Sequence, residues 1–551
     1  MTSFSASQSN KEPRFRGKLY RLKKPSARTV HRYLMLLLAV PMLIWVVTGS
    51  YFVLMDLGYI RGDHYQRAQI APITVKQLQT QKVATAEQLL ALYPSLQYAE
   101  LTERAGELVY KLYLQGESRW LPKVVSASKP DVLLGKISVQ QAAVIASEYL
   151  PRHSVASAPP GESEQNDFSA KLITDNPPSE LSARYLPVWR VDVNDAVNTS
   201  LYISASSGEL VTRRHEFWRW FDLFWKWHIM DYDHGEEVDN RLLLVTAATA
   251  LVSVLAGVVL LWQRRKGYFR ADAKGARLRV SSRRVKHLNR QLHYLVGAVV
   301  ALQLVIWLAT GLYFNLSDGQ ARKGSVNQQA VAHALANSQP DKDKLLTPLQ
   351  AAKQLQILTS NPWSTLTLKQ IGANSVYVFE HQPSRYIHQC QQQTMLDAAT
   401  GEPFRLSEIA ATNIALASFK GAASLADVSL MQAPIAELPK FCDPLWRITL
   451  NHDVKPQLAA NSAPSAASAQ TRVYVHSKTG QVIAHKNADS DLADLMFKLH
   501  FMDYLNQGSF NNPFSWIFAL LALTLSLSGA YWVVENIRLR RYRFRLCRER
   551  L

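Results

Sequence analysis

Apolar positions along this chain gather into four uninterrupted runs, Tyr33–Leu54, Leu242–Trp262, Tyr294–Phe314 and Phe514–Val534, none of which contains Asp, Glu, Lys or Arg. Each has about the 20 residues a helix needs to cross a bilayer. Between them, residues 55–241 and 315–513 mix polar and apolar positions with helix and strand periods. The first of these stretches predicts a helix at Thr85–Tyr93, a strand at Leu108–Leu114, a helix at Ser138–Leu150 and a Pro/Ser/Gly-rich loop at Ala156–Glu180. Strands at Trp189–Val193 and Ser200–Ser204 follow, closed by the turn Ser206–Gly208. The second predicts a helix at Pro348–Leu358, a strand at Val376–Glu380 and a strand and turn through Asp397–Glu402. A helix at Ser407–Ser418 and strands around Trp446 and Tyr474 complete it. The expected fold class is a membrane α-helical bundle of four transmembrane helices carrying two α+β domains, with helices on antiparallel sheets.

The chain also repeats itself. Superposing His31 on His293 brings Ile44-Trp45 onto Ile306-Trp307, Thr48-Gly49 onto Thr310-Gly311 and Tyr51-Phe52 onto Tyr313-Phe314 without a gap. A second block matches Lys226 through Tyr232 to Lys498 through Tyr504, with Gly257 on Gly529, and the strand-turn around Tyr202 and Gly208 matches that around Tyr474 and Gly480. The second copy is longer by an Ala/Ser/Pro run around Pro456 to Gln470, read as a flexible insertion. Such a repeat predicts two tandem homologous halves.

Charge sets the expected orientation. The formal net charge is +19, but residues 11–32, 263–292 and 536–551 alone carry +8, +10 and +6, so the remainder is net negative. Basic excess beside membrane ends predicts a cytoplasmic location for that side. The expected layout is a cytoplasmic segment 1–32, spans 33–54, 242–262, 294–314 and 514–534, a cytoplasmic loop 263–293, a cytoplasmic tail 535–551 and periplasmic domains 55–241 and 315–513. The first span is read as a retained anchor, because its basic lead-in is long and no small-x-small cleavage site follows. Nucleic acid is not an expected partner, since the large domains lack basic excess. Three cysteines are too few for a disulfide scaffold or a paired-Cys metal site; Cys390 and Cys442 are expected to pair, and Cys547 is read as a bystander.

Among fifteen histidines the repeat selects four, because only His31 with His293 and His228 with His500 fall His on His. The others, including His64, His215, His234 and His287, are read as ordinary surface residues. Halves related by an axis along the membrane normal would set each His opposite its mate. The pair His31/His293 then lies near the cytoplasmic face and His228/His500 near the outer face. Two imidazoles facing each other inside a four-helix bundle suit the two axial positions of a haem iron, whereas Zn²⁺ would lack ligands. From His31 to Gly49 is five helical turns, about 27 Å. Gly49 and Gly311 are thereby placed at the outer site, Gly257 and Gly529 at the inner one, where a flat macrocycle needs backbone without a Cβ; small-residue helix packing is the alternative. Lys226, Lys498, Arg32 and Arg290 are candidate propionate partners or solvated charges. Trp218, Trp220, Trp225 and Trp227 read mainly as interfacial belt residues.

With the H-x13-W-x2-T-G-x-Y-F span, the H-[IF]-M-D-Y block and the Y-x5-G-[EQ] strand-turn, the chain resembles the PepSY-associated transmembrane family over about residues 28–534. Its members include di-haem ferric-siderophore reductases of the FoxB type. The resemblance implies a bacterial inner-membrane protein with two periplasmic PepSY-like domains and two b-type haems, passing electrons to periplasmic ferric siderophores or other ferric chelates. No dinucleotide or P-loop fingerprint is present, so the expected donor is a separate cytoplasmic reductase or quinol. Two alternatives stay open: an envelope-binding protein that uses the spans as anchors, and an electron wire serving another periplasmic acceptor.

Overall fold

The computed structural model describes residues 26–65, 72–150, 168–233, 235–265, 282–331, 345–382, 392–439, 441–453, 468–505 and 510–548. In chain order the helices are α1 (Ala27–Leu54), α2 (Leu57–Ile60), α3 (Val75–Gln81), α4 (Ala86–Leu92), α5 (Val139–Ser147), α6 (Glu216–Ile229), α7 (Arg241–Arg265), α8 (Ser282–Leu316), α9 (Gly319–Arg322), α10 (Pro348–Leu358), α11 (Glu408–Ser418), α12 (Ala488–His500) and α13 (Pro513–Arg548). The strands are β1 (Leu96–Arg104), β2 (Glu107–Leu114), β3 (Lys123–Ser126), β4 (Ser169–Ile173), β5 (Val188–Asp192), β6 (Ser200–Ser204), β7 (Leu210–Arg214), β8 (Thr365–Ile371), β9 (Asn374–Gln382), β10 (Gln392–Asp397), β11 (Ser424–Met431), β12 (Leu445–Asp453), β13 (Ser468–His476) and β14 (Val482–Lys486).

Helices α1, α7, α8 and α13 are long and apolar enough to cross a membrane. Both α1 and α8 pack on α7 and on α13, so α1 and α8 stand opposite each other in a four-helix arrangement. Leu38, Ala250, Val254 and Leu308 form its buried centre. Leu37 and Leu302 are 72% and 73% exposed on the outside, a cost in water and none against lipid. The helices outrun the apolar segments: α8 begins at Ser282 and α13 continues to Arg548, because Arg, Lys and Leu are strong helix formers. Two asparagines begin the returning spans. Asn240 Oδ1 accepts from the Leu243 amide at 2.8 Å and Asn512 Oδ1 from the Ser515 amide at 3.0 Å, each capping its helix.

Outside the bundle the strands make three antiparallel sheets. One has six strands in the order β10-β9-β8-β1-β2-β3, and two have four, β4-β5-β6-β7 and β11-β12-β13-β14. The six-stranded sheet joins the two long stretches through β1 and β8, registered from Tyr98 on Lys369 to Leu101 on Leu366. The two outer domains expected as 55–241 and 315–513 therefore share one sheet. Pairing these edges removes two rows of unpaired backbone groups. Helices α4 and α10 lie against one face, with Leu89, Leu101, Tyr110, Leu355, Leu368 and Tyr377 in their common core. Both start with the same Thr-x-x-Gln capping box, Thr85/Gln88 and Thr347/Gln350. Helix α5 covers the β4–β7 sheet and α11 the β11–β14 sheet, with Val191, Leu201 and Ile203 in the first core and Ile448, Val473 and Val475 in the second.

Several expectations shift. The loop expected at Ala156–Glu180 contains strand β4, hydrogen-bonded to β5 from Ser169 on Asp192 to Ile173 on Val188. Its residues 156–167, most of the insertion expected at 456–470, and His234 lie outside the described residues, while Ser468–Gln470 already belong to β13. His215, His476 and His485 are buried at 0%, 2% and 1% exposure, not on the surface, each in a polar niche that periodicity does not reveal. Cys442 is disulfide-bonded; Cys390, its expected partner, lies outside the described residues.

Candidate functional site

The four repeated histidines come from two kinds of element. His31 and His293 belong to α1 and α8 inside the bundle, while His228 and His500 close α6 and α12, which pack on α1 and α8 respectively. Both short helices are amphipathic, α6 rich in aromatic residues and α12 carrying Phe497 alone, and Phe52 and Phe314 stand edge-on to the two rings at 5.5 and 5.7 Å. Trp45 Nε1 donates to the His228 carbonyl at 2.8 Å and Trp307 Nε1 to the His500 carbonyl at 2.7 Å. Beyond them, Met230 and Met502 both adopt φ near +54°, so the chain turns back sharply. Asn240 Nδ2 and Asn512 Nδ2 then tie the Ile229 and Phe501 carbonyls to the starts of the returning spans at 2.9 and 3.0 Å.

Counting protons assigns a tautomer to each of the four rings. The Thr48 hydroxyl donates its one hydrogen to the Ile44 carbonyl at 2.8 Å, so its 2.9 Å contact with His228 Nδ1 has the imidazole N–H as donor. Thr310 repeats this with Ile306 at 2.7 Å and His500 Nδ1 at 2.8 Å. His31 Nδ1 lies 2.8 Å from the Ser253 carbonyl, which can only accept. His293 Nδ1 lies 2.8 Å from Ser528 Oγ, whose hydrogen goes to the Leu525 carbonyl at 2.7 Å. Every ring is thus protonated on Nδ1, which leaves the Nε2 lone pair for another partner. Among the described residues no hydrogen bond reaches any of the four Nε2 atoms. A hydrogen-bond partner at Nδ1 orients a metal-ligating imidazole and raises its basicity. Burial pushes His228 down to about 3, with the charge of His500 as the lesser cause, and burial pushes His500 down to about 4, so both stay neutral at ordinary pH.

Mates lie near each other: His500 is within electrostatic reach of His228, and His31 of His293. The glycines explain how the rings are seated. A Cβ on Gly257 would lie 3.1 Å from His31 Cε1, and one on Gly529 3.5 Å from His293 Cε1. Gly257 stands one turn beyond Ser253, so the missing side chain lets His31 reach that carbonyl, while Gly529 directly follows Ser528, the partner of His293. Gly49 would meet His228 Cε1 at 3.6 Å, while Gly311 has nothing within 4 Å. Gly49, Gly257 and Gly529 therefore meet imidazole edges directly, and Gly311 does not. Of the candidate cations, Lys226 is paired with Asp222 at 3.3 Å, Arg32 leans over Tyr33 at 5.8 Å, Arg290 is exposed and Lys498 half-buried. Trp218 lies under the Arg214 guanidinium at 3.9 Å, and Trp225 Nε1 donates to the Gly235 carbonyl at 3.0 Å. Trp220 and Trp227 remain exposed, as belt residues are.

The model of the PepSY-associated TM region matches residues 28–376, more than half of the chain. The chain belongs to this family. No curated protein matches it. The matched region of this PepSY-associated transmembrane protein includes His31, His228 and His293, while His500 lies beyond it. Among the described residues no three His, Cys, Asp or Glu side chains gather to hold a bare metal ion. The histidines come as pairs with Nδ1 occupied and Nε2 open, a donor set that fits the axial positions of haem iron.

Thr48, Thr310, Trp45, Trp307, Ser528 and the Ser253 carbonyl are hydrogen-bond partners of these histidines that pattern reading did not assign. The repeated Trp-x-x-Thr-Gly was the available signal for the Trp and Thr pairs. A main-chain carbonyl leaves none beyond the glycine that exposes it.

Proposed function

We propose that this is an inner-membrane, di-haem electron-transfer protein that reduces ferric chelates, ferric siderophores among them, in the periplasm. The observation that carries the proposal is the shared seating of His31, His228, His293 and His500, each with a hydrogen-bond partner at Nδ1 and none among the described residues at Nε2. His31 and His293 would hold one b-type haem, and His228 and His500 the other. A haem with two imidazole ligands supplies one-electron transfer and leaves no iron position for oxygen chemistry. The chain's own groups do the rest: Thr48 and Thr310 hold the outer rings, the Ser253 carbonyl and Ser528 the inner ones, and the apolar spans exclude water.

Tandem halves with both termini in the cytoplasm would put the two sites at opposite membrane faces. Support comes from the repeated residues, the matching capping boxes and Asn caps, and the basic stretches beside the spans. Each ferric ion takes one electron and leaves its chelate as the more weakly held ferrous ion. A cytoplasmic reductase or quinol supplies the electrons, two chelates being reduced for each quinol oxidised with loss of two protons. Anaerobic stopped-flow mixing of the reduced protein with ferric siderophore tests this. The expected result is reoxidation on mixing, with ferrous iron trapped by a chromogenic chelator. Reduced protein that keeps its spectrum with ferric chelates, yet reoxidises with cupric ions or a redox protein, would reassign the acceptor.

A further inference from the structure

Cations outside the bundle are commonly matched: Arg190, Arg219, Arg447 and Arg472 each hold a carboxylate within 2.8 to 3.4 Å. One exposed cluster departs from this. The Arg119 guanidinium lies over the Trp120 ring at 4.6 Å, and the Arg184 guanidinium lies over the same ring at 4.7 Å. Arg184 also lies over Tyr185 at 4.9 Å and donates from Nη2 to the Tyr185 hydroxyl at 3.1 Å. Tyr185 meets Trp120 edge-on at 5.3 Å, and Trp120 remains 39% exposed. Among the described residues neither arginine has a carboxylate partner, and Glu117 nearby is taken by Lys123 at 2.7 Å.

One cation on an indole is ordinary packing. A second cation on the same indole, with no acid between them, adds repulsion that a bound anion would relieve. The cluster also has a defined place. Arg184 and Tyr185 follow Glu180, whose carboxylate accepts from Arg219 Nε at 2.9 Å and whose carbonyl accepts from Arg214 Nε at 3.2 Å. Arg219 belongs to α6, the helix that ends at His228.

We propose that Arg119, Trp120, Arg184 and Tyr185 form a docking site for an anionic aromatic ferric chelate of the catecholate class. This rests on the ferric-chelate reading and narrows it. A catecholate ring offers a π face to the indole and guanidinium planes, and its phenolate oxygens accept from Arg N–H groups. The whole ferric complex carries several negative charges. A neutral hydroxamate chelate offers neither the charge nor the aromatic face.

The test uses the full chain in detergent and gallium(III) chelates, which copy the ferric complexes but cannot be reduced under these conditions. Equilibrium dialysis compares a gallium tris-catecholate with a neutral gallium tris-hydroxamate, in wild type, R119Q/R184Q and W120L. The expected result is a catecholate preference of about tenfold or more, weakened by salt and lost in R119Q/R184Q, with hydroxamate binding unchanged. W120L should lose several-fold while keeping the wild-type melting temperature. Equal affinity for the two chelates, or a double variant that melts like wild type and still prefers the catecholate, overturns the site. So does full competition by inorganic phosphate at matched charge, which would make it a simple anion patch. Because gallium is not reduced, a colourless chain that still binds the catecholate keeps this site and defeats the redox reading alone.

Discussion

The two histidine pairs, His228/His500 on the outer side of the proposed layout and His31/His293 on its inner side, are held by different chemistry. At the outer pair each ring rests on a threonine hydroxyl one helix away, and the two members match: Thr48 with His228 at 2.9 Å, Thr310 with His500 at 2.8 Å. At the inner pair the partners are a main-chain carbonyl for His31 and a serine hydroxyl for His293, and Gly257 is packed tighter than Gly529. Outer rings sit on short helices that must be positioned from outside, so side chains do the holding. Inner rings grow from the spans, and His31 reaches neighbouring backbone beside Gly257 while His293 reaches the Ser528 hydroxyl beside Gly529.

This contrast ranks the consequences of substitution. His228→Ala or His500→Ala should remove the outer haem and leave the inner one, halving pyridine-haemochrome content per chain; His31→Ala or His293→Ala should do the converse. Loss of both haems from one outer substitution, in a chain that melts normally, would break the distinction. Next come Thr48→Val and Thr310→Val, which keep shape but remove the acceptor. Each should weaken outer-haem retention about 10- to 100-fold, with the inner spectrum unchanged. Ser528→Ala removes the hydroxyl beside His293 and should weaken inner-haem retention with the outer spectrum unchanged.

A finer prediction separates the two inner glycines. Gly257→Ala places a Cβ at 3.1 Å from His31 and must displace the ring, whereas Gly529→Ala meets His293 at an ordinary 3.5 Å. The first should shift the inner-haem midpoint potential in a redox titration or lower occupancy, at a cost of about 1–3 kcal/mol. The second should titrate like wild type.

The smallest effect lies outside the membrane. Lys111 sits between Glu100 at 2.8 Å and Glu209, while half-buried Lys369 stays down at about 8 because burial outweighs the attraction of Glu380. Between about pH 8 and the free lysine value the unfolded chain binds the extra proton, so stability should rise with pH across that window. Lys369→Met should flatten that rise and lift the melting temperature at neutral pH by about 2 °C. A melting curve with the wild-type pH dependence would show that Lys369 carries no such burden.

The same contrast explains what the sequence could disclose. Runs free of charge revealed the spans, and register between repeats isolated four histidines from fifteen, because those signals depend on residue type and spacing alone. Strands β6 and helices such as α10 followed from local period. Strands β1 and β8 did not, since their pairing joins residues more than 260 apart and β1 mixes Glu100, Thr102 and Glu103 among its apolar positions. Thr48 and Trp45 were visible only as repeated letters. Their hydrogen bonds to His228 depend on how α6 lies against α1, and the Ser253 carbonyl carries no side-chain signal at all. His215 and His485 were misjudged because burial of a polar ring is decided by neighbours such as Tyr59 and Ser418, remote in sequence.

The most direct measurement is electron paramagnetic resonance of the oxidised, purified full chain from haem-replete cells, paired with haem quantitation. Two b-type haems per chain with low-spin ferric signals of bis-imidazole ligation are the predicted result. A haem-free chain, or high-spin iron lacking paired imidazoles, would contradict the account.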